Sequence, residues 1–141
     1  NYINSEKNSP ESTLSMNITL EGVENFFYPE GNKKSRIDFL RNLNAPIKFL
    51  SCEPLLEDLG DMNLDGIDWV IVGGESGAKA RPMKEEWVQS IKVQTEKQGS
   101  AFFFKQWGTW GSDGIKRNKK ANGKLINGKV YQAMPTLNIE S

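Results

Sequence analysis

Trp69-Val70-Ile71-Val72-Gly73-Gly74-Glu75-Ser76-Gly77-Ala78-Lys79-Ala80-Arg81-Pro82-Met83 is the stretch on which the fold turns. Its first four residues form an apolar run without alternation. A strand of that kind is usually buried on both faces, as in a parallel sheet. The run stops at Gly73-Gly74, and a carboxylate, a hydroxyl and a guanidinium follow at Glu75, Ser76 and Arg81. In α/β sheets ligands bind just beyond the carboxyl ends of the strands. The stretch therefore reads as a buried parallel strand that runs into one wall of a site.

Working outward, the flanking segments repeat the same grammar. Ile47–Glu53 reads as a strand stopped by Pro54, and Ala101–Lys105 as a strand that ends in Gln106-Trp107-Gly108. Asn17–Glu24 reads as an earlier strand with Ile18 and Leu20 buried. Helices are expected over Ser35–Asn44, with Ile37, Leu40 and Leu43 at helical spacing, and over Lys84–Gln98, with a Trp87, Ile91 and Thr95 stripe beside Val88. Ser35 and Asp38 stand at capping-box spacing, and Gly99 is a C-terminal stop. The link Leu55–Asp68 carries Gly60 and Asp65-Gly66 and is expected to hold at most one turn of helix, in Leu55–Leu59. The order β-α-β-link-β-α-β predicts a parallel sheet with right-handed crossovers. Farther on, Asn127-Gly128 between Leu125-Ile126 and Lys129-Val130 predicts a two-residue hairpin.

Parallel strands put their carboxyl ends on one rim. That rim would gather Glu24 and Asn25, Glu53, Gly73-Gly74-Glu75-Ser76, and Lys105-Gln106-Trp107. Glu53, Glu75 and Lys105 are the candidate catalytic groups, because paired carboxylates and an amine can share or move protons. Gly73, Gly74, Glu75 and Ser76 are candidates to hold a cofactor, since glycine lets the backbone approach a ligand closely. Glu24, Asn25, Arg81, Gln106 and Trp107 are candidates to position substrate, Trp107 by stacking on a ring. Each also has a plainer reading. Glu53 before Pro54 suits a turn, Gly73-Gly74 lacks the spacing of either nucleotide fingerprint, Lys105 suits a structural ion pair, and Arg81 suits a solvated loop.

Composition narrows the chemistry. At 141 residues with 37% apolar residues the chain is sized for one domain and reads as a globular protein. A complete eight-stranded βα barrel typically needs about 250 residues. The chain has no histidine and one cysteine, Cys52. Histidine triads and cysteine-cluster metal sites built by this chain alone are excluded, so no metal ligand set is expected. No run approaches the ~20 apolar residues of a membrane span, and no secretory signal opens the chain. A lone cysteine then suits a reducing, cytoplasmic compartment. Charge is uneven: residues 17–107 hold 11 bases and 14 acids, residues 108–141 hold 6 bases and 2 acids. The basic end, with Trp107 and Trp110 nearby, reads either as a phosphate-contacting patch or as a solvated loop. Three regions are expected: a flexible lead over 1–16, a βα body over 17–110, and a basic tail with a hairpin over 111–141.

The segments Arg36–Arg41, Phe49–Leu56, Trp69–Gly77, Ala80–Met83 and Phe103–Gly108 resemble, in this order, an uncharacterised family of bacteriophage and prophage proteins. Its members carry an N-terminal three-cysteine motif and look distantly like radical-SAM barrel proteins. The resemblance implies a fold for this chain: a parallel four-stranded βα half of a TIM-type barrel with a C-terminal β-hairpin, matching the family's C-terminal half. It implies an iron–sulfur cluster and S-adenosylmethionine in the intact protein, neither held by this chain alone. The chain, inactive by itself, would form one wall of the site. Partners are then expected to cover the open sheet edges: the missing N-terminal half, a second copy, or an edge closed by the chain itself. Two other readings stand beside this one, a nucleic-acid-binding module without catalysis and an inert truncated prophage product.

Overall fold

The computed structural model describes residues 3–5, 13–17 and 33–135, with side chains over 36–135. The elements, in chain order, are β1 (Ile3–Ser5), β2 (Thr13–Asn17), α1 (Lys33–Arg41), β3 (Ile47–Cys52), β4 (Trp69–Val72), α2 (Glu85–Gln98), β5 (Ala101–Phe104) and the short α3 (Lys119–Asn122). They build an open five-stranded sheet in the order β1-β2-β3-β4-β5. Its body is the parallel set β3, β4 and β5, in the register Phe49–Trp69–Ala101 through Cys52–Val72–Phe104. On the β3 side β2 adds parallel and β1 antiparallel.

Strand alternation sorts the body of the sheet into two unlike faces. Leu50, Cys52, Val70, Val72, Phe102 and Phe104 are buried and form one cluster with Ile37 and Leu40 of α1 and Val88 and Ile91 of α2. Each such Leu, Val or Phe contributes roughly 1.5–3 kcal/mol relative to exposure. Phe49, Ser51, Trp69, Ile71, Ala101 and Phe103 are only half-buried on the opposite face, which no described helix covers. Trp69 lies between Phe49 and Phe103 there, with ring centroids 5.2 and 5.8 Å away.

The half-barrel expectation is overturned. A barrel closes by pairing its two edge strands. Here one edge is the antiparallel β1, and the outer side of β5 is taken by residues 131–133 running antiparallel. Phe104 N–H donates to Tyr131 O (2.6 Å) and Ala133 N–H to Phe102 O (3.0 Å). The β3–β4 crossover also lacks the helix a barrel repeat requires. The link, expected to hold at most one turn of helix in Leu55–Leu59, holds none. The link instead buries Leu55, Leu59, Met62, Leu64 and Ile67 directly in the core. Two glutamines of α2 replace its missing ladder. Gln94 accepts from Met62 N–H and donates to Gly60 O; Gln98 accepts from Leu64 N–H and donates to Met62 O.

The other expectations fared unevenly. β3, β4, β5 and α2 start and stop within a residue of where they were expected, and Gly99 caps α2 in the left-handed region (φ 83°). The strand expected over Asn17–Glu24 lies, beyond Asn17, outside the described residues. The hairpin shrinks to a turn. Asn127 and Gly128 have positive φ (49° and 77°), as a type I′ turn requires, yet only Ile126 and Lys129 bridge across it. Its flanks are engaged elsewhere: Leu125 O accepts from the Trp107 indole, and Tyr131–Ala133 lie on β5.

Candidate functional site

The parallel register continues one step past the strands. Gly73 N–H donates to Cys52 O and Lys105 N–H to Val72 O, so Glu53, Gly73 and Lys105 form the next rung, on the helix-free face. Glu53 reaches across Gly73. Its Oε1 lies 3.3 Å from Lys105 Nζ, and its Oε2 accepts from Gln106 Nε2 at 3.3 Å. Gly73 makes this reach feasible: a Cβ there would stand 2.7 Å from Glu53 Oε2. Gln106 is buried and also donates to Gly74 O (3.1 Å), while Gly74 N–H donates to Gln106 O (3.0 Å). The Glu53 and Lys105 side chains keep 28% and 52% of their exposure, so the pair is open to solvent and to ligand. Below the rung, toward the strand starts, lies the row Ser51–Ile71–Phe103. The site thus has a charged lip and a flat, largely apolar floor.

Glu75 and Arg81 stand apart from that lip. Arg81 grips Glu75 through Nε–H to Oε1 and Nη2–H to Oε2, both 2.9 Å, and its backbone N–H donates to Oε1 as well. This fork lowers the Glu75 pKa, because Arg81's hydrogen bonds and charge favour the carboxylate, against a smaller desolvation effect. The pair closes the loop 75–81 on itself. Thr109 N–H donates to Glu75 O, Gly77 N–H to Thr109 Oγ1, and the Trp110 indole to Ala80 O, so the segment after β5 clamps the same loop.

Five of the expected site residues are therefore brought together: Glu53, Gly73, Gly74, Lys105 and Gln106. Glu75 and Arg81 pair with each other beside them, and Ser76 is exposed at the loop tip. The backbone N–H groups of Gly73 and Gly74 are both spent inside the sheet. Trp107 is buried, packs on Phe104 (centroids 4.9 Å) and bonds Leu125 O, so its ring supports the rim from within. Glu24 and Asn25 lie outside the described residues. Sequence reasoning missed the floor, although counting back by two from Glu53 and Lys105 reaches Ser51 and Phe103. It also missed Thr109, whose role depends on a contact 32 residues away.

The described residues do not fit an iron–sulfur cluster, which is held by thiolates. Cys52 is fully buried on the helix side of β3, and burial pushes its thiol up to about 12, so it is neutral at pH 7. No group of three or more His, Cys, Asp or Glu among the described residues is placed to hold a metal ion. Nor is any helix among them long and apolar enough to cross a membrane.

Fold and rim together define an α/β protein whose described helices pack on one face of the sheet, with a polar lip at its strand ends. Residues 22–135 match the family described as Protein of unknown function (DUF5131), and the chain belongs to that family. No curated protein and no solved structure matches it.

Proposed function

We propose that this chain forms one wall of a small-molecule site on the helix-free face, centred on the Glu53–Gly73–Lys105 rung. The observation that carries this reading is the Glu53 carboxylate, held over a residue without a side chain between an amine and a buried amide, and open to solvent. Its two contacts are long, so the carboxylate keeps acceptor capacity for a hydroxyl or ammonium donor. Lys105 offers a cation to an anionic group. Ile71 and Phe103 offer an apolar surface to a ring. The ligand class is a nucleoside-like molecule with hydroxyl or amino donors, an anionic group and a flat ring. In a reaction, Glu53 and Lys105 are the groups placed to hold or move a proton.

S-adenosylmethionine, which the resemblance implies, carries an ammonium, a carboxylate, ribose hydroxyls and a base, and so do nucleotides in part. The phage affinity, the three-cysteine motif and radical chemistry rest on the resemblance alone. A cluster would need thiolates that the described residues do not supply, so the reading assigns this chain binding and no turnover by itself. Calorimetric titration with S-adenosylmethionine, ATP and adenosine tests it. At least one should bind, and Glu53→Gln and Lys105→Met should each weaken binding about tenfold or more, as expected when a charged hydrogen-bond partner is lost. Binding indifferent to both substitutions, or none to any of the three, would sink the reading.

A further inference from the structure

Six of the chain's 18 bases and none of its 18 acids lie between Gly114 and Val130. This segment is not a loose tail. Trp107 N–H donates to Gly123 O, Asn122 Nδ2 donates to Gly108 O and Thr109 O, Arg117 N–H donates to Thr109 O, and Trp110 bridges to Lys116. The result is a compact lobe seated on the rim, beside β5's carboxyl end.

Its cations are not equivalent. Arg117 is spent inside the lobe on Asp113, through contacts of 2.9 and 2.5 Å, and on Asn122 (3.0 Å). Lys116, Lys119, Lys120 and Lys124 are exposed, and so is Lys129, which lies apart from them beyond the Asn127-Gly128 turn. Lys119 and Lys120 share the single turn of α3, and Lys116 sits over the Trp110 ring, 5.5 Å from its centroid. Ile115 and Leu125, both about half exposed, stand beside Lys116 and Lys124 in the chain.

We infer that this lobe is a docking surface for single-stranded nucleic acid, with the four lysines on successive phosphates and Ile115 and Leu125 against sugar and base faces. Charge complementarity selects a polyanion. Exposed apolar contacts among the lysines suit a strand whose bases are unpaired, because a duplex hides them. An anionic membrane is the poorer match: α3, with four residues, is too short to bury an apolar helix face in the interface, which leaves surface attraction of the lysines alone. The inference is independent of the small-molecule site, since none of these residues belongs to the lip or floor.

Fluorescence anisotropy of the full chain with a labelled 20-nucleotide oligo(dT) or oligo(U) tests it. Four phosphate contacts on a single strand predict that log K falls against log salt with a slope of about −3, a loss of about 50-fold between 50 and 200 mM salt. Replacing Lys119, Lys120 and Lys124 with alanine should bring the slope to about −1. The same three positions changed to arginine should keep it near −3, which separates charge from folding. The double variant Asp113→Asn, Arg117→Gln should leave the slope unchanged, because that pair's charge is already spent. Four results overturn the inference: no binding at 50 mM salt, a slope indifferent to the alanine variant, equal or tighter binding of a duplex of the same length, or capture by phosphatidylserine vesicles with none by the oligonucleotides.

Discussion

Gly73 and Gly74 adjoin, yet a methyl group would act differently at each. At Gly73 the added Cβ meets the far end of the Glu53 side chain, 2.7 Å away, and that end can swing aside. At Gly74 it meets the backbone carbonyl of Trp107 at 1.9 Å, and that carbonyl is fixed by the buried segment around it. We expect Gly73→Ala to fold with less than about 1 kcal/mol lost and to displace Glu53 from Lys105. Gly74→Ala should cost about 3 kcal/mol, as backbone overpacking does. Urea denaturation measures the first quantity, and ligand titration of Gly73→Ala measures the second. The Glu75–Arg81 pair has its own signature. Its folded-state pKa is lowered, so the contribution is complete above the unfolded value, about 4.5, and fades as pH falls through the lower folded value. Stability of the wild type should therefore drop in that acid window. Glu75→Gln should lose stability at neutral pH and show a shallower acid decline, read from urea midpoints between pH 2 and 7.

At the scale of elements, the link between β3 and β4 shows what sequence reading reaches and what it does not. Trp69–Val72 and Ala101–Phe104 are short apolar runs bounded by breakers, and the pattern alone places them. α2 is placed by its 3.6-residue stripe and by Gly99. The lip was legible for the same reason: once the strands are parallel, Glu53, Gly73 and Lys105 must share a rim. Residues 55–68 have no period to read. Their order comes from Gln94 and Gln98, one helical turn apart on α2, whose amides bond the link's backbone more than 30 residues away. A surface glutamine carries no local sign of that duty. The hairpin failed differently: its turn chemistry was right, but its flanks found better partners on Trp107 and β5. The glutamine clamps can be tested. Gln98→Ala removes two bonds and leaves the buried Leu64 N–H unpaired. It should cost about 2 kcal/mol and speed amide exchange at Met62 and Leu64 ahead of β4. Exchange that rises uniformly across the sheet would show that the clamp holds nothing local.

Across the whole molecule, the sheet is covered on one face by helices and on its β5 edge by the chain's own residues 131–133. An uncovered β5 edge would offer unpaired backbone groups to another chain. The covering strip is thin but well tied. Besides its two ladder bonds, Gln132 Nε2 donates to Phe104 O (3.1 Å), the Trp69 indole donates to Ala133 O (2.9 Å), and Tyr131 packs on the core beneath Lys92, 4.5 Å from its ring centroid. Part of the edge protection expected from a partner is thus supplied by the chain itself. Truncation after Val130 should remove these four bonds and cost about 3 kcal/mol, given roughly 0.5–1.5 kcal/mol for each. It should also free the β5 edge and strip the indole partner from Trp69. Light scattering should then report concentration-dependent association that the full chain does not show at the same concentration, and tryptophan emission should shift to the red as Trp69 meets water. A truncated chain that stays monomeric with unchanged emission would mean that the strip is dispensable and that β5 is protected some other way.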